Sequence, residues 1–322
     1  MDALSDVLSI FRVSSTLSSR FEGRGAWAFR FPAYSHIKFG GVLAGRFHLW
    51  IEDARPPITL EEGDFYMLTS GQPFCSASDP SRSPLDGPQV YRSIRSNDGV
   101  VRYQGDCAEH YPAVSLASGR FTFEDDVNEI LLRHLPPIIH LRRNDAGTTA
   151  LSLLLDLLKD EVSEMQPGAE VAQSSLAALV LVNVLRAYLK VTPSPPGWLG
   201  ALADPRIGKV LSLMHGRPGE RWTVDQLASV ANMSRTAFST HFRRLVGNPP
   251  LDYLNQWRMT VARTALRHSE ESLVDIAERI GYQSDTAFSI AFKRWSGQSP
   301  GRFRTQSRMA APPKDEHPPR AL

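Results

Sequence analysis

The chain has 322 residues, 36 Lys+Arg against 34 Asp+Glu, and a formal net charge of +2. That length suits two domains at roughly 150 residues each, and with 42% hydrophobic and 22% charged residues the composition excludes a disordered chain. No apolar run approaches the ~18 residues of a membrane span. Two cysteines cannot build a disulfide scaffold, and Met1-Asp2-Ala3-Leu4-Ser5-Asp6 carries acid where a secretory leader carries base. Both features predict a cytoplasmic protein. A balanced charge, taken alone, argues against a polyanion as partner.

From Trp27 to Phe123 short apolar stretches alternate with turn residues. Arg46-Phe47-His48-Leu49-Trp50-Ile51 and Asp64-Phe65-Tyr66-Met67-Leu68 are the clearest strands, punctuated by Gly45, Pro56-Pro57, Gly63 and Pro73. This spacing predicts a small β-barrel or sandwich over about 20–125. A barrel of that size holds one small ligand. Cys75 and Cys107 are either a redox pair or two apolar core residues. Thr148 to Met165 and Val171 to Lys190 read as helices, with apolar stripes Leu151, Leu154, Leu155, Leu158, Val162 and Leu176, Leu179, Val180, Val184. These stripes suit dimerisation or coverage of the barrel.

Val191-Thr192-Pro193-Ser194-Pro195-Pro196-Gly197 cannot continue a helix and opens a linker over 191–204. Residues 1–200 hold 18 Lys+Arg and 23 Asp+Glu, a net of −5, whereas 201–304 hold 15 against 9, a net of +6. The near-neutral total is a cancellation between an acidic front and a basic back, the asymmetry of a chain that meets a polyanion with one half.

The basic half contains an internal repeat. Thr236-Ala237-Phe238-Ser239 recurs 50 residues on as Thr286-Ala287-Phe288-Ser289, and Phe242, Arg244, Gly247 and Pro250 recur as Phe292, Arg294, Gly297 and Pro300. The preceding helices are offset by 49, so the second turn gains one residue. Thr223 and Gln226 form a capping box opening a helix to Ala231, and Asn232-Met233-Ser234 supplies the turn. The next helix buries Phe238, Phe242 and Leu245 and turns Thr236, Ser239, Thr240 and Arg243 outward. In the second copy Leu273 to Ile280 is the first helix, Gly281-Tyr282-Gln283 the turn, and Asp285, Thr286, Ser289, Ile290 and Lys293 the outward face. Each copy is a helix-turn-helix, in which one helix braces and the other enters a major groove. Leu251 to His268, free of Gly and Pro, predicts a rod of ~27 Å between them, of the order of one DNA turn (~34 Å). The tail from 305 to 322, with Pro312-Pro313 and Pro318-Pro319, reads as disordered.

Ile276-Ala277-Glu278-Arg279-Ile280-Gly281-Tyr282-Gln283-Ser284, with Phe288, Phe292-Lys293-Arg294, Gly297, Ser299-Pro300 and Arg304, resembles the signature of the AraC/XylS family of bacterial transcription regulators. The resemblance covers 205–304. It implies a seven-helix DNA-binding domain with reading helices at Ser234–Leu245 and Ser284–Trp295. Leu60-Glu61-Glu62-Gly63-Asp64 and Leu68-Thr69-Ser70-Gly71-Gln72-Pro73-Phe74 look like the cupin barrel that many such regulators use as a sensor, and Asp2 to Leu8 and Leu135 to Leu141 strengthen that match. It covers 1–190 and implies an α+β chain: a cupin-like sensor with a dimerisation helix pair (148–190), then an all-α reader. The implied partners are promoter DNA, an unidentified small effector, RNA polymerase for an activator, and a second copy of the chain.

Phosphate contacts set affinity and base contacts set sequence choice. Ser234, Arg235, Arg243, Arg244, Ser284, Lys293 and Arg294 are expected at phosphates or as helix-end anchors. Thr236, Ser239, Thr240, Asp285, Thr286, Ser289 and Ile290 are the expected base readers. Many relatives in that family carry Arg where Thr240 and Ile290 stand; an Arg there could grip guanine bidentately, whereas Thr and Ile can at best offer a hydroxyl or touch a thymine methyl. Asp285 accepts from cytosine or caps its helix. Trp222, Trp257 and Trp295 are expected to pack.

The competing reading is a cupin metalloenzyme fused to a helical domain. Catalytic cupins hold metal through a His-x-His set. Here His36, His48, His110, His134 and His140 are scattered, and Phe74 stands where many cupins place a His. The expectation is a non-enzyme with neither metal nor cofactor.

Overall fold

A computed structural model describes residues 3–10, 13–52, 56–96, 99–123, 135–163, 167–193 and 195–310. His134 and the expected tail beyond 310 lie outside these. The chain divides into two compact units: Arg12–Pro195, and the first helix together with the chain from Pro196 onward.

The first unit is a β-barrel closed by helices. Its strands are β1 (Val13–Arg24), β2 (Ala28–Phe31), β3 (Ile37–Ala44), β4 (Arg46–Ile51), β5 (Ile58–Glu61), β6 (Phe65–Leu68), β7 (Phe74–Ala77), β8 (Leu85–Asp86), β9 (Val100–Gln104), β10 (Val114–Phe123) and β11 (Ile138–Leu141). They form two sheets, ordered β11-β6-β3-β10-β1-β9 and β5-β4-β7-β2-β8. The burial of β4 alternates, Phe47, Leu49 and Ile51 facing in, as the period of two requires. Trp27 stacks on Phe29 with centroids 5.2 Å apart, and Phe21 lies 4.9 Å from Trp27, edge to face. These rings form the centre of the barrel core. Gly40 pairs with Tyr66 across β3 and β6, and a Cβ at Gly40 would sit 2.5 Å from the tyrosine ring. The missing side chain is what admits Tyr66 to the interior.

Helix α2 (Gly87–Ile94) starts where Asp86 accepts from the Gln89 backbone N–H. Helices α3 (Thr149–Ser163) and α4 (Ala169–Val191) pack on each other, and α4 also on β1. The inner stripes are deeply buried: Leu151, Leu158, Val180 and Val184 are at most 1% exposed. Leu179, expected with them, is 50% exposed and joins Leu153 and Leu157 on the outside. The stretch Val171–Val191 is long and apolar enough to cross a membrane by length and composition. Ala177, Leu181, Leu185 and Ala187 on it are nonetheless buried, as in the core helix of a globular domain.

The second unit is all-α. It contains α5 (Gly197–Ala201), α6 (Pro205–Gly216), α7 (Val224–Val230), α8 (Arg235–Val246), α9 (Pro250–His268), α10 (Leu273–Arg279), α11 (Asp285–Ser296) and α12 (Pro300–Ala310). The seven from α6 on match the expected count. Residues 197–201 are not linker: α5 buries Trp198 and Leu199 and packs on α8. The prolines before it conceal it, since Pro suits the start of a helix and only its interior is barred. Likewise α12 runs to Ala310, past the boundary expected at 304, held where Arg304 and Arg308 donate to the carbonyls of Glu271 and Ser269 at 2.6 and 3.3 Å.

The N-terminal helix α1 (Ala3–Ile10) packs on α6, although the sequence groups it with the barrel. Beneath it His215 is buried, stacked on Trp257 at 3.9 Å, with Nε2 2.7 Å from the Tyr253 hydroxyl and Nδ1 3.4 Å from the Ala3 carbonyl oxygen. A carbonyl only accepts, so Nδ1 carries the proton and Nε2 accepts from Tyr253. Burial pushes the imidazole pKa down to about 3, against a smaller upward pull from the Ala3 carbonyl.

Candidate nucleic-acid interface and sensor cavity

Each copy of the repeat folds by the same local rules. Thr223 caps α7 in a reciprocal box: Gln226 N–H donates to its hydroxyl at 3.2 Å, and its own N–H donates to Gln226 Oε1 at 2.8 Å. Ser272 and Asp275 build the same box on α10. The turns need one residue with positive φ. Asn232 supplies it at 53° in the first copy and Gly281 at 85° in the second. In both, the next N–H, of Met233 or Tyr282, donates five residues back to Ala228 or Ala277 at 3.0 and 2.8 Å. Ser234 and Ser284 then cap α8 and α11, accepting from Ala237 and Ala287 at 3.3 and 3.1 Å. The cap of α11 is therefore Ser284; Asp285 is the first helical residue and is exposed.

Phe238 and Phe242 are fully buried on α8, as are Phe288 and Phe292 on α11. The third inward position of α8 is Val246, at 2% exposure, and not Leu245, which is half-buried. The buried line runs i, i+4, i+8 and leaves Leu245 beside the seam.

That line fixes what faces outward. Thr236, Thr240 and Arg243 are exposed along one side of α8 with Ser239 partly so; Thr286, Ile290, Lys293 and Ser289 repeat the arrangement on α11. Ile290 is 60% exposed, a conspicuous apolar residue on an otherwise polar face. The expected cations differ in freedom. Arg235 pairs with Asp225 at 3.4 Å. Arg244 donates to His241 at 3.1 Å, and His241 in turn meets Asp204 at 2.7 Å. Arg243 and Lys293 are exposed and make no ion pair among the described residues. Sequence reasoning missed Arg258, which donates to the carbonyls of Pro218 and Glu220 at 2.7 and 2.8 Å and ties α9 to the loop before α7. Trp257 is buried, as expected, and Trp295 packs under Arg263 at 5.4 Å.

In the barrel the histidines stay apart. His140 meets Asp64 at 2.8 Å and His48 meets Thr59 at 3.2 Å. Among the described residues no group of three or more His, Cys, Asp or Glu could hold a metal ion. Cys75 is buried on β7 and Cys107 exposed in a loop, both as free thiols. Burial raises the Cys75 pKa, which disfavours its thiolate. The barrel encloses a cavity of about 420 Å³ between its sheets and α2, within the range of small-molecule sites.

The family comparisons agree with this geometry. Residues 2–190 match the cupin family and residues 227–306 a helix-turn-helix domain family. A protein of Streptomyces lividans described as an AraC-like transcription regulator is 37% identical over 88% of this chain and 91% of its own length. The regulator AlkR of Acinetobacter baylyi is 30% identical over 88% of this chain and 92% of its own. Among solved structures, the DNA-binding domain of AdpA in complex with a target DNA is 33% identical, covering 34% of this chain and 97% of that one, at a TM-score of 0.32.

The chain belongs to the AraC-like transcription regulators. It is a DNA-binding regulator with a cupin-type N-terminal domain that suits ligand sensing. In this AraC-like chain the cupin match begins at residue 2, so it includes α1, which packs with the DNA-binding helices. No periodicity within eight residues could have revealed that; it is a tertiary contact.

Proposed function

We propose that this regulator reads two successive major-groove segments with α8 and α11, and that occupancy of the barrel cavity sets its affinity for that operator. The observation that carries the reading is the repeated pair of capped helices, each with a buried phenylalanine seam and an outward hydroxyl-and-cation face, joined by the rigid α9. Arg235, Arg243, Arg244, Lys293 and Arg294 serve the phosphates, with the Ser234 and Ser284 helix ends. Thr236, Ser239, Thr240, Asp285, Thr286, Ser289 and Ile290 serve the bases. The regulator acts in the cytoplasm and is not an enzyme. The exposed Leu153, Leu157 and Leu179 on α3 and α4 favour a homodimer, which doubles the footprint by symmetry. An activator of this build also touches RNA polymerase.

Genome-wide mapping of the bound protein, followed by titration of purified full-length protein on the recovered fragments, tests the reading. Fragments sharing two spaced half-sites support it; binding that ignores sequence overturns it.

A further inference from the structure

The cavity of the barrel is lined by charge of one sign. His36, Lys38, Arg92, Arg95 and Arg120 border it, and no Asp or Glu is among its lining residues. Its body is aromatic, with Phe21, Phe47, Tyr66 and Tyr91. Lys38 and Arg120 are direct cross-strand partners on β3 and β10. The period of two puts them on the same face as Leu116 and Val42, with Lys38 half-buried and Arg120 exposed at the rim of the cavity. Like charges directly opposite destabilise a sheet. Neither has a carboxylate partner among the described residues; the Lys38 ammonium rests instead 5.1 to 5.7 Å from the rings of Phe31, Tyr34 and Phe74. Burial, and then the Arg120 charge, push the Lys38 pKa down, and burial with Lys38 and Arg120 does the same to His36. Two cations thus stand opposite each other at the cavity with no carboxylate between them, a place an anion would fill.

We infer that the cavity binds a compact amphipathic carboxylate, its head held between Lys38 and Arg120 and its apolar body among the aromatic rings. This rests on the reading of the barrel as the sensor and names the class of its effector. A singly charged head suits the site better than a dianion, because apolar walls penalise each charge taken from water. The volume of about 420 Å³ equals roughly fourteen waters at ~30 Å³ each, which sets the scale of the body at one or two rings or a short alkyl chain.

The test is calorimetric titration of the full-length protein with 2-naphthoate and octanoate, each beside its neutral isostere, 2-naphthamide and octanamide. At least one carboxylate should bind ten- to a hundredfold more tightly than its amide, the range of one charge-assisted pair of hydrogen bonds. Lys38→Met and Arg120→Gln should each erase that preference while leaving amide binding unchanged and the ligand-free melting temperature equal or higher, since a repulsion is removed. Equal binding of acid and amide, no binding of either acid at millimolar concentration, or variants that lose binding together with thermal stability would overturn the proposal. Operator affinity is measured separately with and without the acid. A carboxylate that binds without changing it leaves the site standing and refutes the sensor reading.

Discussion

Arg243 and Lys293 offer the sharpest test of the DNA surface. They occupy equivalent places 50 residues apart, one turn beyond Ser239 and Ser289, and both are exposed. Arg235 is drawn back by Asp225 and Arg244 by His241, whereas Arg243 and Lys293, like Arg294, are exposed and reach phosphates without breaking an ion pair among the described residues. Each phosphate contact contributes about 0.9 to the slope of log K against log salt. Over a fourfold rise in salt, from about 50 to 200 mM, one contact accounts for ~0.5 log unit of weakening and two for ~1.1, or about twelvefold. Arg243→Gln and Lys293→Gln should each lower the slope by about 0.9, and the double variant by about 1.8. The loss should be the same on an operator duplex selected from a random pool and on unselected DNA. Fluorescence anisotropy across the salt range measures it. An unchanged slope, or a loss confined to the operator, would refute the assignment of these side chains to the backbone.

Three further outcomes follow from geometry. Thr223→Ala removes the hydroxyl of the α7 box and should cost the helical unit about 1 kcal/mol in denaturant titration; a loss below the error of the midpoint would mean the box is redundant. Gly281→Ala places a Cβ 2.5 Å from the Gly219 carbonyl oxygen at a φ of 85°, and should cost at least about 1–2 kcal/mol, whereas Gly301→Ala, with open space, should be near neutral. His215 is neutral in the folded unit, with its pKa down at about 3, so only the unfolded chain takes up its proton as pH falls below about 6.5. Stability from this residue is complete above that pH and declines by about 1.4 kcal/mol per unit below it. His215→Gln should remove that slope between pH 6.5 and 5, and an unaltered slope would show that other groups carry it.

The sequence made the reader legible and left the sensor half-legible, for physical reasons. Caps, turns and the phenylalanine seam are local: Thr223–Gln226, Asn232 and Phe238–Phe242 lie within a few residues of one another, and the repeat displays them twice. The strands Arg46–Ile51 and Asp64–Leu68 were legible to within one residue, because alternation is also local. What the chain hides is register. Lys38 and Arg120 are 82 positions apart, and nothing near either shows that antiparallel pairing sets them face to face. The short helix at 197–201 is hidden by its own prolines, and the docking of α1 on α6 by distance along the chain.

The outward faces of the two copies diverge at two places, and this bears on the shape of the operator. The cations proposed for phosphates on the last turns are kept, Arg243 with Lys293 and Arg244 with Arg294, and so are Thr236 with Thr286 and Ser239 with Ser289. Among the exposed positions assigned to DNA, the differences in chemical type fall at Arg235 against Asp285 and Thr240 against Ile290. On the assignment above Arg235 serves a phosphate where Asp285 can accept at a base edge, and Ile290 can contact only an apolar group such as the thymine methyl where Thr240 offers a hydroxyl. On the proposed reading, the half-sites read by one chain share the anchors Arg243/Lys293 and Arg244/Arg294 but are spelled differently, with no internal symmetry in the site of a single protomer. Swapping Thr240 and Ile290 between the helices makes the point testable. Selection from a random pool should then return the two half-sites with their preferences at one base exchanged, while total affinity and salt slope hold. A selected sequence that does not change would remove both residues from the reading face.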